Sequence, residues 1–157
     1  LFRSVAVLRE ADIVCCTLVG AGVDSLSALA DGAGEGAGKI FDAVVVDEAT
    51  QSCEAALLVA LQHVHSLAIL VGDHKQLRPT VLSDEAARRG LKVSLFERML
   101  RLGVQPLLLD TQYRMHPSLA TFVSTCFYRG KYLSGVADAK RPQPRGLRWP
   151  SPSCNAA

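Results

Sequence analysis

Two adjacent carboxylates, Asp47 and Glu48, directly follow the apolar run 43–46. The β-branched residues of that run predict a buried strand. In an open parallel sheet, ligands bind outside the carboxyl ends of the strands, and carboxylates together with phosphates are ligands that Mg²⁺ accepts. The pattern therefore predicts a metal-nucleotide site at residues 47–48. The alternative is a strand-end acid that caps the next helix, a role that Asp47 alone could fill.

A second apolar run, 67–71, ends in Gly72 and Asp73 and so repeats the pattern of a strand followed by an acid. The loop that follows contains Pro79, which stops a helix, and several polar side chains that a loop can present. Each run taken singly is more simply a core strand. Polar groups at the same end of two strands favour a ligand site instead.

Helical patterns lie between and after these runs. Ser83 precedes an acidic first turn, and Ser94 with Glu97 matches a capping box that opens a helix ended by Gly103. The predicted strands are a run from residue 11 that ends in a loop at 17–22, and the runs 43–46, 67–71 and 106–109. The other predicted helices are 24–30, 54–62 and one from Pro117 that buries Leu119, Phe122, Val123 and Phe127. This alternation indicates an α/β layer structure, a mostly parallel sheet with flanking helices.

The composition is that of a soluble globular protein. The 157 residues are 49% hydrophobic, yet the apolar runs fall far short of the about 18 residues that suggest a membrane span. The first residues show neither a secretion signal nor an initiator Met. The five cysteines, without a CxxC pair, predict buried free thiols in a reducing compartment. His63 and His65 have no neighbours at metal-ligand spacing, which argues against zinc.

The charge is unevenly distributed along the chain. The formal net charge is +2, but residues 129–157 hold six basic residues and one acidic residue. Such a basic segment is typical of a partner with a phosphate backbone, and equally of a solvated tail.

The stretch 33–39, AGEGAGK, loosely copies a phosphate-binding P-loop. Its first position is Ala33, and Ile40 stands where the Ser or Thr that binds magnesium is needed. A working P-loop also follows a strand and opens a helix, whereas this stretch precedes a strand. It is better interpreted as a loop insertion.

Taken together, these stretches resemble the up-frameshift type superfamily 1 helicases, the regulators of nonsense transcripts. The likeness runs from residue 11 to about residue 150. ADIVCCTLVGAG is similar to the family's nucleic-acid-binding strand and loop, VVVDEATQ to its motif II, VGDHKQLRP to its motif III and QYRMHP to its motif IV. The resemblance implies a P-loop NTPase (RecA-like) parallel sheet, truncated at both ends in this chain.

The resemblance also implies ATP and magnesium as cofactors. Asp47 would hold the metal on the phosphates, and Glu48 would orient and activate the attacking water. Gln76 would sense the γ-phosphate, and Arg114 would reach it from a second domain. The other residues expected at the nucleotide are Gln51, Asp73, which would support the metal shell or the loop, and Tyr113, which would stack on the adenine. Without the family, Tyr113 and Arg114 would be surface contacts at a helix entrance.

For nucleic acid, the resemblance implies backbone contacts from Thr17, Val19, Gly20 and Gly22, where glycines allow close approach and a hydroxyl can bond phosphate or ribose. The alternative is a plain tight turn. Arg78 departs from the Gly that family members often carry in motif III. Related nucleic-acid helicases also carry Arg there, so this residue blurs the sub-family rather than the superfamily.

The motifs divide the chain into three parts. Residues 1–103 correspond to the C-terminal half of a first RecA-like domain that lacks the P-loop. Residues 104–134 hold motif IV and the start of a second RecA-like domain. Residues 135–157 form a basic, Pro-rich end that we expect to be poorly packed.

The resemblance predicts an ATP-dependent RNA helicase or translocase in nonsense-mediated mRNA decay. It would act on single-stranded RNA, with decay-complex proteins as partners and no membrane, in the cytoplasm or alternatively the nucleus. One alternative is a DNA or DNA/RNA helicase of the same superfamily, and another is a non-catalytic helicase-like scaffold. Because the P-loop lysine and the arginine of the last motifs are missing, we expect residues 1–157 alone to be inactive.

Overall fold

The computed structural model describes residues 2–29, 40–137 and 140. The P-loop-like stretch 33–39 and nearly all of the basic end lie outside this range. Backbone contacts divide the chain into two units, residues 1–106 and 107–157. The helices are α1 Phe2–Glu10, α2 Asp24–Ser27, α3 Glu54–Leu61, α4 Asp84–Ala86, α5 Leu95–Arg101 and α6 Pro117–Tyr128, and the strands are β1 Phe41–Val46, β2 Val64–Leu70, β3 Thr111–Gln112 and β4 Leu133–Ser134.

The centre of the first unit is a β1–α3–β2 crossover. β1 and β2 pair in parallel, with Val46 beside Leu70, and a parallel pair needs a long connection, which α3 supplies. The predicted strands at 43–46 and 67–71 and the predicted helix at 54–62 are thus confirmed. This arrangement agrees with the predicted α/β class.

The strands are less buried than predicted. Val46 is 4% exposed, but Val45 is 65% and Leu67 is 51% exposed. The reason is that β1 and β2 form a two-stranded sheet, so helices of the described residues cover only part of its surface. The main core cluster joins the end of β1 to α3 and α5 through Val46, Ala49, Leu57 and Leu95.

The strand predicted from residue 11 is wrong. Residues 11–17 form no regular element, and Ile13 is 81% exposed. Among the described residues, the sheet of the first unit contains only β1 and β2, so the segment 11–17 pairs with neither strand, and β-propensity alone does not make a strand. The predicted burial of the thiols is also wrong for the described cysteines, because Cys15, Cys16 and Cys126 are exposed and Cys53 is only half-buried. Cys154 lies outside the described residues.

The predicted helix starts are confirmed. The Ser83 hydroxyl accepts from the Ala86 N–H at 3.2 Å, and the Ser94 hydroxyl accepts from the Glu97 N–H at 3.1 Å. Gly103 ends the α5 region with a φ of 92°, a conformation in which glycine costs little. Arg98 of α5 donates two hydrogen bonds to Glu54 of α3, and these bonds raise the pKa of the Arg98 guanidinium.

The second unit is a smaller β3–α6–β4 crossover, with β3 and β4 parallel. The strand predicted at 106–109 is wrong: these residues are irregular, and the strand begins at Thr111. The helix from Pro117 is confirmed, but its buried residues are Ala120 and Ser124. Leu119, Phe122 and Phe127 are exposed and Val123 is half-buried, because the short ladder offers α6 little surface to cover them.

Within the part of the chain that the structure describes, no helix combines the length and the apolar character needed to cross a membrane.

Candidate nucleotide and nucleic-acid sites

The acid loop, residues 47–51, begins where β1 ends. Glu48 has φ 51° and ψ 36°, a left-handed conformation that is uncommon for a residue with a Cβ and is often found at functional sites. The Glu48 N–H donates to Asp47 Oδ1 at 3.0 Å, and Gln51 Nε2 donates to Glu48 Oε2 at 2.9 Å. Both carboxylates belong to exposed residues. The loop therefore holds two adjacent acids by two different contacts.

The sheet ladder continues into this loop. The Val71 N–H donates to the Val46 carbonyl at 2.8 Å, and the Ala49 N–H donates to the Val71 carbonyl at 2.8 Å. A Cβ on Gly72 would lie 3.1 Å from Thr50 Cγ2 and 3.2 Å from the Thr50 nitrogen. The absence of that atom lets the end of β2 pass closely beside the acid loop.

The loop after β2 presents Asp73 and Gln76 together. Asp73 Oδ1 accepts from the Lys75 N–H at 3.0 Å, and Asp73 Oδ2 accepts from Gln76 Nε2 at 2.7 Å. Asp73 therefore shapes this loop and orients the Gln76 amide. The register of the parallel strands brings these two residues and the acid loop to the same end of the sheet.

Arg78, the departure from the family pattern, points to α5. Its Nη2 donates to Glu97 Oε1 at 3.1 Å, and Arg101 Nη2 donates to the same oxygen at 2.7 Å. The Glu97 side chain is only 14% exposed, so these guanidiniums neutralise a largely covered carboxylate. Arg78 thus fastens the loop after β2 to α5.

The donor set of the acid loop suits magnesium. Mg²⁺ usually takes one or two protein carboxylates together with waters and substrate phosphates. Asp47 offers an exposed carboxylate whose orientation is fixed by the Glu48 N–H. Among the described residues, no group of three His, Cys, Asp or Glu side chains is placed to hold a metal by itself.

In the second unit, one buried amide builds the turn 112–115. Gln112 is 7% exposed. Its Oε1 accepts from the Arg114 N–H at 2.8 Å and from the Met115 N–H at 2.6 Å. Its Nε2 donates to the Met115 carbonyl at 3.0 Å and to Ser134 Oγ at 2.8 Å. Gln112 thereby fixes the backbone that carries Tyr113 and Arg114, both of them exposed.

Gln112 was not among the residues predicted to have a role. A glutamine at the end of a short strand carries no periodic signal, and its partner Ser134 lies 22 residues away. The one available signal was its place in the QYRMHP motif, next to the two residues that were assigned.

The candidate nucleic-acid loop, residues 17–22, is a tight turn with a 3₁₀ helix at Val19–Gly22. Thr17 Oγ1 accepts from the Gly20 N–H at 3.0 Å. Thr17 and Val19 are exposed. A Cβ on Gly22 would meet Val59 of α3 at 3.0 Å, so glycine is needed at that position for close packing on α3.

A buried histidine contacts the backbone of this loop. His63 is 5% exposed, and its Nε2 lies 2.9 Å from the Ala21 carbonyl oxygen. The same Nε2 also lies 3.3 Å from Gln62 Nε2. No spacing in the sequence indicates the contact with Ala21, because its partners are 42 residues apart.

Two family models, each described as an AAA domain, match this chain at residues 2–84 and 91–157. The chain therefore belongs to the AAA domain family, within the P-loop NTPase class. It is 42% identical over 147 residues to the regulator of nonsense transcripts 1 homolog of Neurospora crassa, covering 93% of this chain and 12% of the relative. It is 42% identical to the ATP-dependent helicase NAM7 of Saccharomyces cerevisiae, over 92% of this chain and 14% of that protein.

A third relative is the helicase SEN1 of Saccharomyces cerevisiae, 41% identical over 82% of this chain and 5% of its own length. The chain thus spans about an eighth of the length of the first relatives named. The resemblance to the regulators of nonsense transcripts is confirmed.

Proposed function

We propose that this chain forms part of an ATP-dependent RNA helicase or translocase that acts in nonsense-mediated mRNA decay. The names of the relatives, a regulator of nonsense transcripts and an ATP-dependent helicase, support the proposal. In this proposal the first unit belongs to one RecA-like domain and the second unit to another. Hydrolysis opens and closes such domains and so moves them along single-stranded RNA.

One observation carries the proposal: two parallel strands end side by side in loops of the right chemistry. Val46 pairs with Leu70, and the acid loop and the Asp73–Gln76 loop follow these strands directly. A nucleotide placed at this end meets carboxylates from one loop and an amide from the other. This is where open α/β sheets bind their ligands.

The two acids take separate roles in the proposed reaction. Asp47 holds magnesium, which neutralises phosphate charge when it is bound. Glu48 positions the attacking water and accepts its proton. Gln51 donates to the Glu48 carboxylate and so restrains its orientation.

Further nucleotide roles are proposed for Gln76 in the first unit and for two residues of the second unit. Gln76, oriented by Asp73, senses the γ-phosphate with a neutral group that can donate or accept. Arg114 stabilises charge on the transferred phosphate, and Tyr113 stacks on the adenine.

RNA binding is proposed for the loop 17–22. In this proposal the exposed Thr17 and Val19, with Gly20 beside them, contact the sugar-phosphate backbone of the RNA. Gly22 serves this surface indirectly through its packing on α3. Decay-complex proteins are the proposed partners, and the proposed location is the cytoplasm, with the nucleus as a second one.

The test uses the intact gene product that carries residues 1–157. We expect single-stranded RNA to stimulate its ATP hydrolysis more than DNA of the same sequence, and RNA duplexes to be unwound faster than DNA duplexes. Equal or faster action on DNA would favour the DNA helicase, and hydrolysis that no nucleic acid stimulates would favour the scaffold.

A further inference from the structure

The ring of Tyr113 lies directly against the backbone of Gly135. A Cβ on Gly135 would fall 2.3 Å from Tyr113 Cε1 and 2.8 Å from both Cδ1 and Cζ. Since the two neighbouring ring atoms are only slightly farther away than Cε1, the missing Cβ points at the face of the ring and not at its edge. One face of Tyr113 is therefore covered by Gly135, while the residue as a whole is 68% exposed.

The ladder of the second unit fixes Gly135 in this place. β4 pairs with β3, and directly after it the Gly135 N–H donates to the Gln112 carbonyl at 2.8 Å. Gln112 precedes Tyr113 and holds the next turn through its side chain. Two residues that are 22 positions apart are thus brought together by backbone pairing.

The ring, and not the backbone, requires a glycine at position 135. The φ of Gly135 lies outside the range +20° to +160°, so other residues could adopt its conformation. Gly130, in contrast, has a φ of 74° and nothing within 4 Å of its missing Cβ. The chain therefore offers one glycine demanded by a contact and a nearby glycine demanded by conformation.

We propose that Gly135 is a positioning residue for nucleotide binding: because it has no side chain, it leaves the space that the Tyr113 ring occupies when the ring stacks on the base. This inference rests on the proposed function, in which Tyr113 stacks on adenine. A side chain at position 135 occupies the place of the ring, and an exposed ring yields by rotating away. The base then loses its stacking platform, while the phosphate contacts remain.

The test compares Gly135→Ala with the wild type in the intact gene product. Because loss of stacking on an aromatic side chain weakens the binding of a base, we expect the affinity for a fluorescent ATP analogue to fall about tenfold. Competition by inorganic tripolyphosphate, which has no base, should stay unchanged. Gly130→Ala, which strains the backbone without touching the ring, should leave the affinity for the analogue unchanged.

A double variant shows whether Gly135→Ala weakens binding through Tyr113 or by a general loss of structure. If Gly135 acts through Tyr113, Gly135→Ala adds nothing to the loss caused by Tyr113→Ala. Additive losses, an unchanged affinity in Gly135→Ala, or an equal loss for tripolyphosphate would each overturn the inference.

A ¹⁹F NMR measurement without nucleotide tests the positioning of the Tyr113 ring independently of the proposed function. The ¹⁹F resonance of fluorotyrosine at position 113 is identified by its disappearance in Tyr113→Phe. We expect Gly135→Ala to move it toward the position of free fluorotyrosine. If the resonance moves but the wild type binds no ATP, Gly135 does position the Tyr113 ring and the proposed function is wrong. If the resonance does not move, Gly135 does not position the ring.

Discussion

The acid loop and the turn 112–115 both present charged or aromatic side chains, but they are built in different ways. In the acid loop, side-chain contacts span one to three residues, as between Glu48 and Gln51. In the turn, Gln112 is buried and bonds to Ser134, 22 residues away. The first loop is shaped by neighbours in sequence and by the ladder, and the second by one buried side chain.

This difference predicts where substitutions do damage. An exposed side chain with one hydrogen bond can be lost at little cost to the backbone, because water replaces the bond. A buried amide with four hydrogen bonds leaves unsatisfied groups behind when it is removed. In the acid loop, we therefore expect substitutions to reduce activity most at the residues proposed to react. In the turn, we expect the greatest damage from substitution of Gln112, which holds the backbone.

The largest effect is expected at Glu48. Glu48→Gln keeps the size of the side chain but removes the base, and general base catalysis contributes typically 10² to 10⁴ in rate. In the intact gene product we expect kcat for ATP hydrolysis to fall about 10³-fold, with nucleotide affinity within threefold of the wild type. Steady-state hydrolysis and equilibrium binding of a fluorescent ATP analogue measure the two quantities.

The control is Glu85→Gln, which alters an exposed glutamate paired with Arg88 and Arg89 and should leave kcat unchanged. A Glu48→Gln variant that kept more than a tenth of the wild-type kcat would remove Glu48 from the reaction.

The next effect contrasts the two glutamines directly. Gln112→Leu removes the acceptor of the part-buried hydrogen bonds from the Arg114 and Met115 N–H groups, and a group left unsatisfied away from water costs about 1–3 kcal/mol. We expect hydrogen-exchange protection of residues 111–116 to fall about 30-fold and kcat to fall about 10²-fold, because a displaced Arg114 is poorly aligned. Gln51→Leu should change the protection of its own loop by less than threefold. Equal losses of exchange protection in Gln112→Leu and Gln51→Leu would show that the turn does not depend on one buried side chain more than the acid loop does.

The sequence was sufficient for the strand and the two acids that follow it because these determinants are local. A β-branched run followed by Asp47 and Glu48 predicts a strand with acids at its end, and the repeated pattern at 67–73 predicts a second strand that ends in the same way. The bond from the Ala49 N–H to the Val71 carbonyl, across 22 residues, was not predicted. Caps such as Ser83 and Ser94 were equally visible, since each bonds within three residues.

The remaining features depend on distant partners. Whether residues 11–17 pair as a strand is decided by a neighbouring strand, and whether Leu119 and Phe122 are buried is decided by what covers α6. The supports at Gln112, Gly135 and His63 consist of contacts across 22 to 42 residues, and no spacing rule reports such contacts.

Gly72→Ala tests the tightest point of the acid loop. The new Cβ would lie 3.1 to 3.3 Å from Thr50 Cγ2 and from the nitrogens of Thr50 and Ala49, and overpacking of this kind costs typically 1–3 kcal/mol. We expect kcat to fall about tenfold and the exchange protection of the Ala49 amide to fall with it.

The matched variant is Gly103→Ala, at a φ of 92° with open space around its missing Cβ. It should weaken the end of α5 and leave kcat unchanged. If Gly72→Ala were as harmless to hydrolysis as Gly103→Ala, the close passage beside Thr50 would have no part in shaping the acids.

The smallest change in exchange protection is expected at the two residues other than glycine that are left-handed in the described part of the chain. Glu48 in the acid loop and Arg129 after α6 have φ values of 51° and 54°, and such a conformation costs an L-residue about 1–2 kcal/mol. A glycine relieves this strain but has more freedom to lose on folding, so each replacement should raise local exchange protection only about two- to fivefold. Arg129→Gly should leave hydrolysis unchanged, whereas Glu48→Gly should abolish it, because only the strained residue of the acid loop also carries a reacting group. A rise in exchange protection in Arg129→Gly but not in Glu48→Gly would mean that the contacts of the Glu48 carboxylate, and not the ladder, impose the conformation of Glu48.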